Sequence, residues 1–178
     1  MSNTQSAHTD IHIRLATSSD RSDCLSIERD AVSVYRDAGL RHVADARLDS
    51  AVLDLLIGGD RVWVAEVCAH SQPVGFLAAG EVGPTLYVEE LSVRLAYQRQ
   101  GIGHALMTHM IGFARWAFFP AVTLTTYRDL PWCAPFYRSL GFMELNETSM
   151  AEELQLIRRR ERNKGLEPPA RVTLMKRL

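Results

Sequence analysis

The chain has 178 residues, about 1.2 times the common domain scale of ~150 residues, which predicts one domain. Hydrophobic residues make up 47% and charged residues 23%, a globular balance that excludes a disordered or collagen-like chain. Lysine plus arginine number 20 against 21 aspartates plus glutamates. That argues against nonspecific nucleic-acid binding, which needs clustered positive charge.

Cys24, Cys68 and Cys133 are odd in number and far apart, so each reads as a small core residue in a reducing compartment. Residues 1–10 form a polar, flexible leader without the apolar run of a signal peptide. No stretch reaches the roughly 18 apolar residues that cross a bilayer. The expectation is a soluble, cytoplasmic protein with neither membrane nor nucleic acid as partner.

Ile11 to Leu15 alternates as a strand. Ser18, Ser19 and Asp20 then offer N-caps to a helix whose apolar stripe, Cys24, Ile27, Ala31 and Val34, carries it to near Gly39. A second helix is expected over 49–57, ended by Gly58-Gly59, a pair suited to a left-handed cap. Arg61 to Val67 reads as a half-buried strand. A turn through His70 to Pro73 and another at Gly83-Pro84 introduce strands at Val74 to Val82 and Thr85 to Val93, an antiparallel meander.

Ile102, Leu106, Met110, Phe113 and Ala117 mark a helix from Gly101 to Ala117. A strand at Ala121 to Thr126 follows, then a short helix over 131–140 begun by Pro131 and closed by Gly141. Phe142 to Leu145 is a strand, Met150, Leu154 and Ile157 mark a helix, and Arg171 to Leu178 closes the chain as a strand. The basic run Arg158-Arg159-Arg160 reads as a solvated helix face interleaved with acids. The sum is an α/β (α+β) fold with a central mixed, mostly antiparallel sheet of about seven strands flanked by helices. Residues 11–178 form its single domain.

The chemistry concentrates where a strand ends at Leu91-Ser92-Val93 and Gln98-Arg99-Gln100-Gly101-Ile102-Gly103 opens a long helix. A helix N-terminus carries unpaired amides and partial positive charge, and so attracts phosphate. Glycines at 101 and 103 let a diphosphate approach those amides, and Arg99 adds a charge-assisted contact. No Gly-Lys-Ser/Thr follows, and the third glycine of a dinucleotide fingerprint is missing.

The whole segment resembles the acetyl-CoA-binding motif of the GNAT N-acetyltransferase superfamily, Gln/Arg-x-x-Gly-x-Gly/Ala, filled by Gln98, Gly101 and Gly103. Its local spelling is similar to that of the ribosomal-protein alanine acetyltransferases. Ala134 to Phe142, with Tyr137 ahead of Leu140-Gly141-Phe142, looks like a second family segment. The resemblance covers roughly residues 11–145 and implies the acyl-CoA N-acyltransferase fold.

It implies acetyl-CoA as cosubstrate, bound along Leu91, Ser92 and Val93 with Arg99, Gln100, Gly101, Ile102, Gly103 and His104 around the diphosphate. The activity implied is acetyl transfer to a primary amine of a small molecule, peptide or protein, by direct attack in a ternary complex. Family members often form homodimers. Val93 N–H would steady the developing oxyanion. Tyr137 would protonate the departing sulfur, since a phenol near pKa 10 matches a thiolate; its alternative is a packed core aromatic. Glu89 and Glu90, successive on a strand, should point to opposite sheet faces. Glu90, on the face of Ser92, is the candidate base, directly or through a water, or else a salt-bridged strand carboxylate.

Two positions depart from the alanine acetyltransferases: Thr125 stands where they carry a Glu, and Leu130 where an Asn is common. Asp129 could receive a cationic amine and Trp132 wall the pocket; a helix cap and plain packing are their alternatives. Glu28, with Tyr35 and His42, falls in the region that usually sets acceptor specificity in this family. His104 and His109 have no further ligand at metal spacing, so no metal is expected. The rival function is a catalytically idle acyl-CoA-binding sensor, which would keep the diphosphate turn without needing Tyr137 or a base.

Overall fold

The computed structural model describes residues 10–45, 47–69, 71–167 and 170–178. The leader up to Thr9 and the turn residue His70 lie outside them. In chain order the elements are β1 (Ile11–Leu15), α1 (Arg21–Ala31), α2 (Ser33–Asp37), α3 (Arg41–Asp45), α4 (Ser50–Gly58), β2 (Val62–Val67), β3 (Gln72–Val82) and β4 (Thr85–Val93). Then come α5 (Ile102–Trp116), β5 (Ala121–Tyr127), α6 (Ala134–Ser139), β6 (Met143–Glu144), α7 (Glu152–Asn163) and β7 (Arg171–Arg177).

The strands form one seven-stranded sheet in the order β1-β2-β3-β4-β5-β7-β6. Every pairing is antiparallel except β4 with β5, which α5 connects in parallel. α5 turns Ile102, Leu106, Met107 and Met110 onto one sheet face, against Trp63, Leu77, Val88 and Leu124. α1 and α4 cover the other with Cys24, Ile27, Leu53 and Ile57 against Val62, Val64 and Phe76. β2 is therefore buried on both faces, not half-buried as its alternation suggested. No helix among the described residues is long and apolar enough to cross a membrane.

Several boundaries differ from expectation for local reasons. Ser18 to Asp20 form a 3-10 turn rather than N-caps. The Asp20 carboxylate turns back to accept from the Thr17 amide at 2.7 Å and from both terminal nitrogens of Arg14 at 2.8 Å. The single helix expected to reach Gly39 breaks at Val32, where Ser33 Oγ donates to the Asp30 carbonyl at 2.6 Å. α4 ends in a Schellman motif, with Arg61 N bonded to Leu56 O and Asp60 N to Ile57 O. The left-handed residue of that motif is Asp60, at φ 56, and Gly59 stays at φ −96.

α6 begins at Ala134, not at Pro131, because Pro135 lacks an amide and is tolerated only in a helix's first turn. Gly141, at φ +84, follows as expected. Arg158 is not solvated: it is buried at 3% exposure, pairs with Glu161 and Glu167, and donates to the Arg171 carbonyl.

Candidate active site

The site arises where β4 and β5 part. Their parallel pairing holds only at Leu86 with Val122 and Tyr87 with Thr123, while β4 continues along β3 to the pair Gly75 with Val93. Arg94 N donates to Val74 O at 2.8 Å, toward β3. Because amide direction alternates along a strand, Val93 and Leu91 turn their N–H and C=O groups into the gap. Gln98 Nε2 donates to Val93 O at 2.9 Å. Its side chain therefore fixes the end of β4, a positioning contact made by a residue that the motif groups with the cofactor.

Across the gap stands the N-terminus of α5. Its first backbone bond runs from Ala105 N to Gly101 O at 2.9 Å, so the preceding first-turn amides have no helical acceptor. Gly101 sits at φ +85, and a Cβ added there would meet no atom within 4 Å. That glycine is required by its dihedral, not by packing. Gly103 differs, since an added Cβ would reach Phe136 at 3.6 Å and Leu91 at 3.9 Å, ordinary contacts. Arg99 adopts φ 60, a left-handed conformation uncommon for a side-chain-bearing residue. His104 Nδ1 lies 3.4 Å from Thr108 Oγ1. These groups fit a diphosphate: donors, a basic side chain and a space free of Cβ atoms, all at one helix end.

A cavity of about 540 Å³ joins this helix end to the gap, and Leu91, Ser92, Val93, Arg99, Gly103 and Tyr137 are among its walls. Tyr137, on α6, packs edge-on against Phe136 and Phe142 at ring distances of 5.0 and 5.9 Å. Burial pushes its hydroxyl pKa upward. The ring is packed, and Tyr137 also lines the cavity. Glu90 lines the same cavity. It accepts from Ser92 Oγ at 2.6 Å. Burial, reinforced by Glu28, pushes its carboxyl up to about 7 against the Ser92 hydrogen bond.

Glu89 and Glu90 do not face opposite sides. The β3–β4 register passes from Ala78 with Glu90 to Ala79 with Val88, leaving Glu89 as the extra residue of a β-bulge, and both glutamates line a second cavity beneath α7. A bulge places two consecutive residues opposite one partner and breaks the alternation that the parity argument used.

The remaining candidates scatter. Trp132 lines the thioester-side cavity and stacks edge-on to Tyr35 at 6.0 Å. Asp129 is exposed and outside that cavity's lining. Glu28, 3% exposed, accepts from Leu48 N at 2.8 Å and so secures the segment leading to α4. His42 lines the second cavity. Motif reading passed over Cys133, whose Sγ lies 3.4 Å from Tyr35 Oη, and Val32 at the helix break; both line the first cavity. It also passed over Glu161, which arrives from α7 to accept from Thr125 Oγ1, from Arg158 and from Arg171. A carboxylate thus stands next to the position where Thr125 had displaced one.

A sheet split beside a glycine-opened helix is the fold this chain shares with solved GNAT family acetyltransferases. Residues 58–144 match the family model described as acetyltransferase (GNAT) domain. N-acetyltransferase family 8 member 3 from Mus musculus is 33% identical over 92 residues, covering 48% of this chain and 40% of that protein. The chain thus matches well under half the length of that relative. The ribosomal-protein-S18-alanine N-acetyltransferase from Escherichia coli superposes with a TM-score of 0.66 at 15% identity, covering 94% of both chains. A GNAT family acetyltransferase from Brucella melitensis, in complex with acetyl-CoA, gives 0.57 at 24% identity, over 76% of this chain and 84% of that one.

Proposed function

We propose that the chain is an acetyl-CoA-dependent N-acetyltransferase acting on a primary amine by direct attack, with residues 11–178 as one working domain. The observation that carries this reading is the meeting of four features in one cavity: the unpaired β4 edge, the α5 amides, Glu90 and Tyr137. The complex of the Brucella melitensis relative with acetyl-CoA supports the choice of cosubstrate.

Acetyl-CoA would supply an activated thioester carbonyl and a thiolate leaving group. The first-turn amides of α5, with Arg99, hold the diphosphate and set the distance from the helix end to the β4 edge. Leu91 and Val93 offer that edge as strand-like hydrogen-bonding groups to the amide-bearing arm. Val93 N–H, pointing into the gap, donates to oxygen as negative charge develops. Glu90 accepts the proton of the ammonium; with its carboxyl near 7 it matches the working pH of a general base. Tyr137 retains its proton well above neutrality and delivers it to sulfur. Three free cysteines, two of them buried, support a cytoplasmic setting.

Thiol release from acetyl-CoA, measured with a panel of amines on wild type and on Tyr137→Phe, tests the proposal. Amine-dependent release that drops in the variant is expected. Calorimetric uptake of CoA without turnover of any amine would overturn it in favour of a sensor.

A further inference from the structure

The second cavity, of about 980 Å³, shares Glu90 with the first and lies on the α4 side of the sheet. Its floor is the bulged part of β4, with Tyr87, Glu89 and Glu90. Its walls come from the β3–β4 turn at Glu81 to Gly83 and, outside the family-matched residues 58–144, from His42, Asp45, Arg47 to Asp49 and Val52, and from α7 with the turn after it. A floor inside the matched segment and walls mostly outside it put the choice of acceptor in the walls.

The charges are segregated between the two. Glu89 and Glu90 make no ion pair among the described residues. Several wall carboxylates are already neutralised: Glu81 by Arg61 at 3.1 Å, Asp45 by Arg36 at 3.6 Å, and Glu161 by Arg158 and Arg171, both at 2.7 Å. Asp49 caps the Ala51 amide at 2.8 Å, and Glu153 lies against Gly83. Opposing them, Arg47, Arg160 and Lys164 line the cavity without an ion pair among the described residues. The floor offers two carboxylates without an ion pair, and in the walls three cations without one stand against two such carboxylates, Asp49 and Glu153, among the described residues. Leu48, Val52, Leu156 and Ile157 provide apolar surface between them.

We infer that the acceptor enters through this cavity and is a small amine bearing a carboxylate several bonds from its amino group. The ammonium rests on Glu89 and Glu90, where Glu90 also borders the thioester side, and the carboxylate rests among Arg47, Arg160 and Lys164. The apolar strip takes the connecting chain. A cavity of this size lies within the range that encloses small-molecule ligands.

This identification rests on the proposed acetyl transfer, and the test separates the two. Probes of one chain length are compared: γ-aminobutyrate with a carboxylate tail, n-butylamine with an apolar tail and putrescine with a cationic tail. A charge-assisted contact predicts kcat/KM about 10-fold or more higher for γ-aminobutyrate than for n-butylamine, with putrescine lowest. Arg160→Gln with Lys164→Gln should remove that preference by raising KM for γ-aminobutyrate alone, while Arg159→Gln should not. Calorimetry of the same probes on CoA-saturated protein reads the preference without turnover. Equal or reversed ranking in both assays overturns the inference and leaves acetyl transfer standing. Selective binding without acetylation of any amine overturns the proposed function and leaves the acceptor pocket standing. No binding of any probe overturns the inference.

Discussion

Gly101→Ala separates a glycine kept for a ligand from one kept for packing. The residue sits at φ +85 with nothing within 4 Å of an added Cβ, so the protein itself presents no steric obstacle to the methyl group. The cost in the free protein is conformational, about 1 kcal/mol for an L-residue held in the left-handed region. For a chain of this length that corresponds to a fall in Tm of about 2–4 °C. The methyl group projects into the space before the α5 amides, so it should hold a diphosphate away from donors worth about 1.5–3 kcal/mol each. CoA affinity should therefore fall by about 10-fold or more, well beyond the loss in stability. Thermal denaturation without ligand and calorimetry with CoA measure the two effects independently. Gly103→Ala is the internal control: its Cβ makes ordinary contacts, and it should be neutral or slightly stabilising by helix propensity. Unchanged CoA affinity in Gly101→Ala would refute the cradle.

Glu90→Gln should lower kcat by about 100-fold or more, and the wild-type rate should climb with pH through about 7, where the carboxyl ionises; a flat profile removes Glu90 as base. The same raised pKa has a stability sign. Between about 4.5 and 7 the unfolded chain releases a proton that the folded chain retains, so this group costs stability as pH rises through that window. Denaturation midpoints of Glu90→Gln should gain on wild type from pH 4.5 to 8. Tyr137→Phe should reduce kcat by about 100-fold while leaving CoA affinity unchanged, and weakened CoA binding in calorimetry would mark the residue as a binding group instead. Asp20, held down at about 2 by Arg14, contributes stability that is full above about pH 4 and lost as pH falls toward 2. Asp20→Asn should cost about 2 kcal/mol at neutral pH, read by urea denaturation, with the difference from wild type shrinking in acid.

Elements defined by periodicity were legible in the sequence. β4 begins and ends where its turn residues say it should, and the stripe from Ile102 to Ala117 marks α5 within a residue at each end. The glycine turn that opens α5 was legible too, with Gly101 at φ +85, because it depends on backbone and glycine, which local sequence specifies. Features set by partners distant in sequence were not. Glu89 became a bulge residue through the register with β3, and parity within β4 alone gives no sign of that. The helix break at Val32 comes from Ser33 bonding to a carbonyl, a choice open to any mid-helix serine. Arg158 lies in a run of arginines that looks uniform, yet its place on α7 turns it inward to Glu161 and Glu167. Gln98 was recognised as a motif residue, but its work on the Val93 carbonyl emerged only with the fold.

The extra residue at position 89 acts as a phase shifter. Upstream, even-numbered Leu86 and Val88 look toward α5; downstream, odd-numbered Leu91 and Val93 do. Were residue 89 held in strict alternation instead of bulged out, every position from Glu90 onward would be inverted. Glu90 would be driven into the hydrocarbon beneath α5, and the Val93 N–H would swing back toward β3. Catalytic polarity in this chain thus hinges on a count of one.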